Sequence, residues 1–168
     1  MLSKTIEALL NKQIAHEAFA SYYYLGMASW CQLKGLDGAA TFMYRQSEEE
    51  RAHMLKLFHY INETGGHAHA PPIAKSPEKF KSVLDVFMLA LRQEQANTKC
   101  INGIVEICLK EKDYATFNFL QWFVSEQHEE EMVFKGILDK IDIIGMDGKG
   151  IYMIDKAIAK LNLQLAQG

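Results

Sequence analysis

The sequence predicts an all-α protein, built as a four-helix bundle with a long crossover between helices 2 and 3 and a short fifth C-terminal helix. Hydrophobic residues make up 49% of the 168 residues, and the chain contains only three prolines. This composition is typical of a globular helical protein. Four long segments also repeat apolar residues at alternating spacings of three and four, as helices around a shared core do. We expect one domain over residues 1–168.

The first two helices are predicted to form an antiparallel pair. The first runs from about Thr5 to Lys34 and ends at Gly35, a usual place for a left-handed cap. Asp37 is expected to cap the second helix, which runs to about Thr64 and stops at Gly65-Gly66. Because so few residues join the two helices, they must run side by side in opposite directions.

The linker between Gly66 and Phe80 is predicted to cross the whole bundle. An extended connection of about 15 residues reaches about 50 Å, whereas a helix of about 28 residues is about 42 Å long. The third helix is therefore expected to run parallel to the second, and Ser76-Pro77-Glu78 has the form of a helix start signal. His67 and His69 could chelate a metal, but histidines in an exposed loop are usually just solvated, and we expect that here.

The remaining elements are a second pair of long helices and a short one. The third helix is predicted from about Ser82 to Lys110, and Asp113 is expected to cap the fourth. The apolar stripe of the third helix is Phe80, Leu84, Phe87, Leu91, Glu94, Thr98, Ile101, Val105 and Cys108. Gly145 to Gly150 end the pattern, and a fifth amphipathic helix follows. Since four helices complete a bundle, the fifth must dock on the outside or against another subunit.

Charge and composition narrow the function classes. A net charge of -3 gives no reason to expect nucleic acid or an anionic membrane as a partner. No apolar run approaches the roughly twenty residues that span a bilayer, and the first residues lack a signal-peptide apolar region. We therefore expect a cytoplasmic protein. Cys31, Cys100 and Cys108 are expected to be reduced and to lie in the core as small hydrophobic residues.

Each of the four apolar stripes is interrupted midway by polar residues. These are Glu17 in the first helix, Glu50 and His53 in the second, Glu94 in the third, and Gln127 and Glu130 in the fourth. On a helix, residues three apart point the same way, so the side chains in Glu50-x-x-His53 can grip one ion together. An unpaired carboxylate in a core is costly, and it needs either a cation or access to water.

The interruptions are predicted to meet as one cluster at the centre of the bundle. Counted from the turns, Glu94 and Glu130 share a level, and Glu17 and Glu50 differ by about 7 Å of helix rise, which tilt and side chains can absorb. Four carboxylates carry about four negative charges, which two divalent cations would neutralise. Oxygen ligands with one imidazole suit iron, manganese or magnesium, although magnesium does not need a histidine.

Two segments then give a specific resemblance. A general rule for di-iron carboxylate bundles places a Glu on each of two helices and Glu-x-x-His on the others, but the fourth helix here offers Gln127-x-x-Glu130. The chain resembles the bacterial non-haem ferritins in Glu49-Glu50-x-x-His53 and in the run YATFNFLQWFVSEQHEEE, from Tyr114 to Glu131. The resemblance covers essentially the whole chain and implies a ferritin-like fold.

The resemblance implies a ferroxidase centre that oxidises Fe²⁺ to Fe³⁺ with dioxygen or peroxide. Glu17, Glu50 and His53 would hold the first iron, and Glu50 would bridge to a second held by Glu94 and Glu130. Gln127 would support these ligands, and Tyr24 would lie beside them, although it is equally well read as a buried tyrosine with a satisfied hydroxyl. A third iron site is suggested by Glu49, Glu126 and Glu129, which could instead form a solvated acidic face.

The resemblance also implies iron storage as ferric mineral in a homo-oligomeric shell, about 24 subunits in this family. No haem is expected, because Arg51 stands where bacterioferritins place a haem-binding methionine. Rubrerythrins carry cysteine-ligated iron, for which this chain has no cysteine pairs. Two rivals remain: a small di-iron oxidase or peroxidase acting on an organic substrate, and a helical interaction module whose acids face water and bind no metal.

Overall fold

The computed structural model describes residues 2–165, and within that range it contains five α-helices and no strands. The helices are α1 (Lys4–Leu33), α2 (Asp37–Glu63), α3 (Val83–Glu111), α4 (Tyr114–Ile144) and α5 (Gly148–Leu165). The predicted all-α class, with four long helices, a crossover and a short fifth helix, is confirmed. The expectation of one domain over residues 1–168 stays a prediction.

Two of the predicted helix start signals are wrong, although the third helix does begin next to Ser82, as expected. Asp37 is the first residue of α2, and Leu36 occupies the cap position without a side-chain hydrogen bond. Ser76-Pro77-Glu78 starts no helix, because α3 begins at Val83. Its N-cap is Ser82, whose hydroxyl accepts a hydrogen bond from the amide of Asp85. The prediction that Asp113 caps α4 is confirmed, since its carboxylate accepts the amide of Thr116 at 3.0 Å.

The directions of the helices follow from which residues face each other. Ser21 bonds Ser47 and Gln32 bonds Tyr44, so α1 and α2 run in opposite directions. Gln46 bonds Glu130 and Tyr60 bonds Thr116, so α2 and α4 are also antiparallel. The short turn at Lys112 and Asp113 makes α3 antiparallel to α4. Consequently α3 runs parallel to α2, as the length of the crossover predicts.

The crossover lies along the surface of α1. Near its start, Asn11 bonds the backbone of His67 and His69. Near its end, Ser76 packs against Gly26, where a Cβ would lie 2.4 Å from the Ser76 hydroxyl oxygen. The segment therefore spans about 15 residues of α1, or about 22 Å. Glycine at position 26 allows this close approach.

The apolar core is split by a polar layer. One cluster surrounds Tyr24, Met27, Phe42 and Phe134, and the other surrounds Leu10, Leu57, Ile101 and Phe123. The polar residues predicted to interrupt the stripes lie between the two clusters. The same layer also contains Gln13, Gln46 and Asn97, all buried.

The stripe predicted for the third helix is partly wrong. Leu84, Leu91, Thr98 and Val105 are only half-buried, and the buried set is Val83, Val86, Phe87, Ala90, Glu94, Asn97, Ile101, Ile104 and Cys108. Because α3 packs against α1 as well as α4, its buried face is rotated and wider than a single seam. That rotation brings Asn97, rather than Thr98, fully into the polar layer.

The fifth helix docks on the outside of its own bundle, against α2 and α4. Ile154 and Ile158 are buried there. Asp155 accepts the amides of Gly38 and Ala39 at 3.0 and 2.9 Å, which satisfies the N-terminal donors of α2. Across residues 2–165 no helix is long and apolar enough to cross a membrane.

Candidate metal centre

Glu17, Glu50 and His53 come together in the polar layer as predicted. Each offers one ligand atom, and these atoms all lie within 4.8 Å of one another. Glu50 and His53 share a face of α2 because they are three residues apart, and Glu17 meets them from α1. Within residues 2–165, this is the one group of three or more His, Cys, Asp or Glu side chains that converges so closely.

Glu50 is the side chain of this group with the most unpaired polar atoms. It is fully buried, and neither of its carboxylate oxygens has a hydrogen-bond partner. Nδ1 of His53 lies 3.6 Å from Oε2 of Glu50, too far for a hydrogen bond, and has no other partner. Three buried ligand atoms are thus left free, whereas buried polar atoms in proteins are nearly always bonded.

Burial and mutual repulsion shift the protonation of these groups. The pKa of Glu50 is well above its ordinary value because of burial first, and then because of the charges on Glu94 and Glu17. Burial lowers the pKa of His53, although Glu17 opposes this. A neutral imidazole can bind a cation through its free nitrogen. A bound cation would also compensate the negative charge of the carboxylates that surround Glu50.

Glu94 and Glu130 border the same layer but are held by neutral donors. The hydroxyl of Tyr24 and Nε2 of Gln127 donate to the two carboxylate oxygens of Glu94, the second at 3.0 Å. Gln46 donates to Glu130 at 2.8 Å. Burial, followed by the charge on Glu94, raises the pKa of Glu130 to about 8. The negative charges of the four carboxylates therefore repel one another, which contributes to the raised pKa values of Glu50, Glu94 and Glu130.

Three amide side chains in this layer were not predicted to belong to the site. Gln13 donates to Glu17 at 2.7 Å, and Asn97 lies 3.3 Å from the same carboxylate and from the carbonyl oxygen of Gln127. Gln13 and Gln46 lie four residues before Glu17 and Glu50, on the same helix faces, but nothing in the sequence assigned them a role. Asn97 could have been found as the residue three after Glu94, on the same helix face.

Aromatic rings close the layer on both sides. The imidazole of His53 makes T-shaped contacts with Trp122 and Phe123, whose ring centroids lie 5.3 and 6.1 Å from its own. Tyr24 stacks on Phe134 at 5.8 Å, and burial is the main cause that raises its pKa well above the ordinary value. Tyr24 is therefore both a buried tyrosine with a satisfied hydroxyl and a direct neighbour of the carboxylates.

Glu49, Glu126 and Glu129 line one cavity of about 250 Å³ together with Glu130. Arg45 borders this cavity and pairs with Glu49 at 3.0 Å. The three acids do not converge as tightly as Glu17, Glu50 and His53 do. The structure thus brings the residues of the suggested third site to one place, with a guanidinium beside them.

Two of the three cysteines lie in the core as expected, and the third does not. Cys31 and Cys108 are buried, and burial raises their thiol pKa values to about 12 and about 11. The expectation that Cys100 lies in the core is wrong, because it is only half-buried. Its sulfur lies 3.7 Å from Nε2 of His16, since the surface of α3 is open there beside α1.

Comparison with known proteins supports the same family. Residues 7–144 match the model of the ferritin-like domain. The chain is 49% identical over 163 residues to the bacterial non-heme ferritin of Campylobacter jejuni, covering 97% of this chain and 98% of the relative. The chain belongs to the ferritin family. This ferritin is also 38% identical over 164 residues to the bacterial non-heme ferritin of Escherichia coli, covering 98% and 99% of the two chains.

The solved structures agree with the assignment. An open pore ferritin from the hyperthermophilic archaeon Archaeoglobus fulgidus superposes on this ferritin with a TM-score of 0.92 and 36% identity, covering 95% of this chain and 98% of that chain. The resemblance stated from the sequence is therefore confirmed. As a ferritin, the chain has iron storage with oxidation of ferrous iron as its function in the broad sense of the family.

Proposed function

We propose that this chain oxidises Fe²⁺ at a two-iron site formed by Glu17, Glu50, His53, Glu94 and Glu130. Iron is here both substrate and cargo. The observation that carries the proposal is Glu50, a fully buried carboxylate whose two oxygens have no partner. Leaving such a group unpaired costs several kcal/mol unless it is protonated or meets a cation, so this position is built for a positive charge.

The geometry supports different roles for the ligands. Glu17 and His53 flank one side of Glu50, where the first Fe²⁺ would bind. Glu94 and Glu130 act on Glu50 through their charges, and a second Fe²⁺ would bind between them and Glu50, with Glu50 as the bridge. One position would have an imidazole ligand and the other only carboxylates, which suits a hard or borderline ion such as iron.

The surrounding donors prepare the carboxylates for this task. Gln13, Gln46 and Gln127 donate to Glu17, Glu130 and Glu94, and these bonds fix the carboxylates before the ions arrive. Anionic oxygens favour Fe³⁺ over Fe²⁺ because they stabilise the higher charge. Each Fe²⁺ then gives one electron to dioxygen or peroxide. Tyr24 bonds Glu94 and would help to keep that carboxylate in place.

Two alternative functions fit the structure less well. An interaction module with acids facing water does not fit, because Glu17, Glu50 and Glu94 are fully buried. An oxidase or peroxidase for organic substrates needs a cavity of about 300–1,000 Å³ beside the metals. The cavity beside Glu130 is about 250 Å³ and is lined mainly by charged side chains, which disfavours an apolar substrate.

For assembly, we propose a homo-oligomeric shell of about 24 subunits in the cytoplasm, which stores ferric mineral without haem. The full-length likeness to ferritins supports the shell, and Arg51 after Glu50 supports the absence of haem. Purified protein should elute as one large species and consume oxygen when Fe²⁺ is added. A monomer or dimer by light scattering would contradict the storage shell, and absent oxygen consumption would contradict the oxidation.

A third iron position at Glu49, Glu126 and Glu129 is open to a direct test. In the Glu49→Ala, Glu126→Ala, Glu129→Ala variant, two Fe²⁺ per chain should still bind tightly, because all three acids lie outside the central ligand group. Binding of a third ion should be lost, and the ratio of iron oxidised per oxygen consumed should change. Anaerobic calorimetric titration with Fe²⁺ counts the ions, and an oxygen electrode gives the ratio.

The control for this variant removes the same charge elsewhere. Glu48, Glu63 and Glu111 are exposed acids outside this cavity, so their triple replacement with alanine should leave the stoichiometry at the wild-type value. If the first variant also keeps the wild-type stoichiometry, Glu49, Glu126 and Glu129 form only a solvated acidic face.

A further inference from the structure

The segment His67-Ala68-His69 at the start of the crossover places two imidazoles side by side. Their ring centroids lie 4.3 Å apart, and both side chains are exposed, whereas Ala68 between them is buried. Alternate residues of an extended segment point to the same side. The anchored Ala68 therefore turns both histidines outward together.

Each backbone amide of this tripeptide is bonded to a side chain of a neighbouring helix. The amide of His67 donates to Glu7 at 3.2 Å, that of Ala68 to Asn62 at 3.1 Å, and that of His69 to Asn11 at 2.8 Å. The side-chain amide of Asn11 also donates to the carbonyl of His67 at 3.0 Å. We call these four bonds the loop clamp.

The loop clamp sets this pair apart from ordinary loop histidines. A flexible loop loses conformational entropy when it binds an ion, whereas a backbone that is already fixed loses little more. Glu7 also adds a carboxylate at the same corner, and it pairs with Lys4 at 3.1 Å. The backbone positions of the two histidines are therefore fixed close together before any ligand arrives.

The spacing suits a transition-metal ion. Imidazole nitrogens bind Zn²⁺ at about 2.0–2.1 Å, so two of them on one ion stand roughly 3 Å apart. The nitrogens of two rings whose centroids are 4.3 Å apart can reach that nitrogen–nitrogen distance when the rings rotate about their side-chain torsions. Two imidazoles would supply part of the coordination shell, and water would complete it. Imidazole ligands suit Cu²⁺, Ni²⁺, Zn²⁺ and Fe²⁺.

We propose that His67 and His69 form a surface binding site for one borderline divalent ion, preorganised by the loop clamp and separate from the central carboxylate cluster. The site departs from the sequence expectation of solvated histidines. From Asn11 to Glu17 is six residues, or about 9 Å along α1. The site and the cluster are thus neighbours on one helix without sharing a ligand.

The test uses Cu²⁺, which binds most tightly of these ions to such donors. Calorimetric titration of the metal-free assembled protein should count one more Cu²⁺ per chain in the wild type than in the His67→Ala, His69→Ala variant. Electron paramagnetic resonance of the extra Cu²⁺ should show coupling to two nitrogen ligands. The central cluster binds equally in both proteins, so it cancels in the difference.

Two further variants make the test specific. His59→Ala, His128→Ala removes two other exposed histidines and should keep the extra Cu²⁺. Asn11→Ala keeps both imidazoles but breaks two bonds of the loop clamp, and the affinity of the extra ion should fall by about 10- to 100-fold, as when an outer partner of a metal ligand is removed. Equal stoichiometry in the wild type and the His67→Ala, His69→Ala variant would overturn the site. Unchanged affinity in Asn11→Ala would overturn its preorganisation.

Discussion

Replacing Glu50 with alanine should lower the rate of rapid Fe²⁺ oxidation by about a hundredfold or more, equivalent to at least about 2.7 kcal/mol of barrier. Glu50 is the proposed bridge, so its loss removes a ligand from both iron positions at once. Stopped-flow absorbance of the ferric product, with Fe²⁺ mixed against air-saturated buffer, measures the effect. The exposed neighbour Glu48 provides the control, and Glu48→Ala should oxidise iron at the wild-type rate.

The same variant should fold without difficulty. In the metal-free protein, Glu50 contributes a buried acid group whose oxygens have no partner, and the charges on Glu94 and Glu17 oppose its ionisation. Removing it relieves this cost, so the free energy of unfolding without metal should stay equal or rise. Urea titration in the presence of a chelator checks this. A Glu50→Ala protein that keeps the wild-type rate would show that the cluster is misassigned.

The helices and their polar interruptions could be predicted from the sequence because both are periodic. Residues at spacings of three and four share a helix face, and counting from the turns gives the level at which Glu94 and Glu130 meet. The buried set of α4 includes both polar residues that this logic places in its stripe, Gln127 and Glu130. A carboxylate in an apolar stripe is also a local signal, since it needs a partner.

The rotation of a helix between two neighbours has no such local signal. The spacing of apolar residues predicts Thr98 in the buried stripe, but packing against α1 and α4 buries Asn97 instead. Contacts between distant segments are hidden for the same reason. Asp155 caps α2 from 117 and 116 residues away, and Asn11 holds His69 from 58 residues away. Only the folded chain brings these partners together.

The metal-free protein should lose stability as the pH rises from about 4.5 towards 8. Burial raises the pKa of Glu130 from its ordinary value of 4.5 to about 8. Between these values the native chain holds a proton that the unfolded chain has released, so a rise in pH favours unfolding. One such proton contributes a slope of up to about 1.4 kcal/mol per pH unit, and Glu50 and Glu94, whose pKa values are also raised, act in the same direction.

Glu130→Gln separates this contribution from the rest. The variant cannot release the proton, so its free energy of unfolding should fall less steeply between pH 5 and 8 than that of the wild type, whereas the exposed Glu48→Gln should keep the wild-type slope. Urea titrations at fixed protein concentration with a chelator give the slopes. Zn²⁺ should then reverse the trend in the wild type, because a cation replaces the protons on the carboxylates and binds better as they ionise. A wild-type slope that Glu130→Gln leaves unchanged would mean that Glu130 titrates normally, and that the polar layer is open to water rather than prepared for metal.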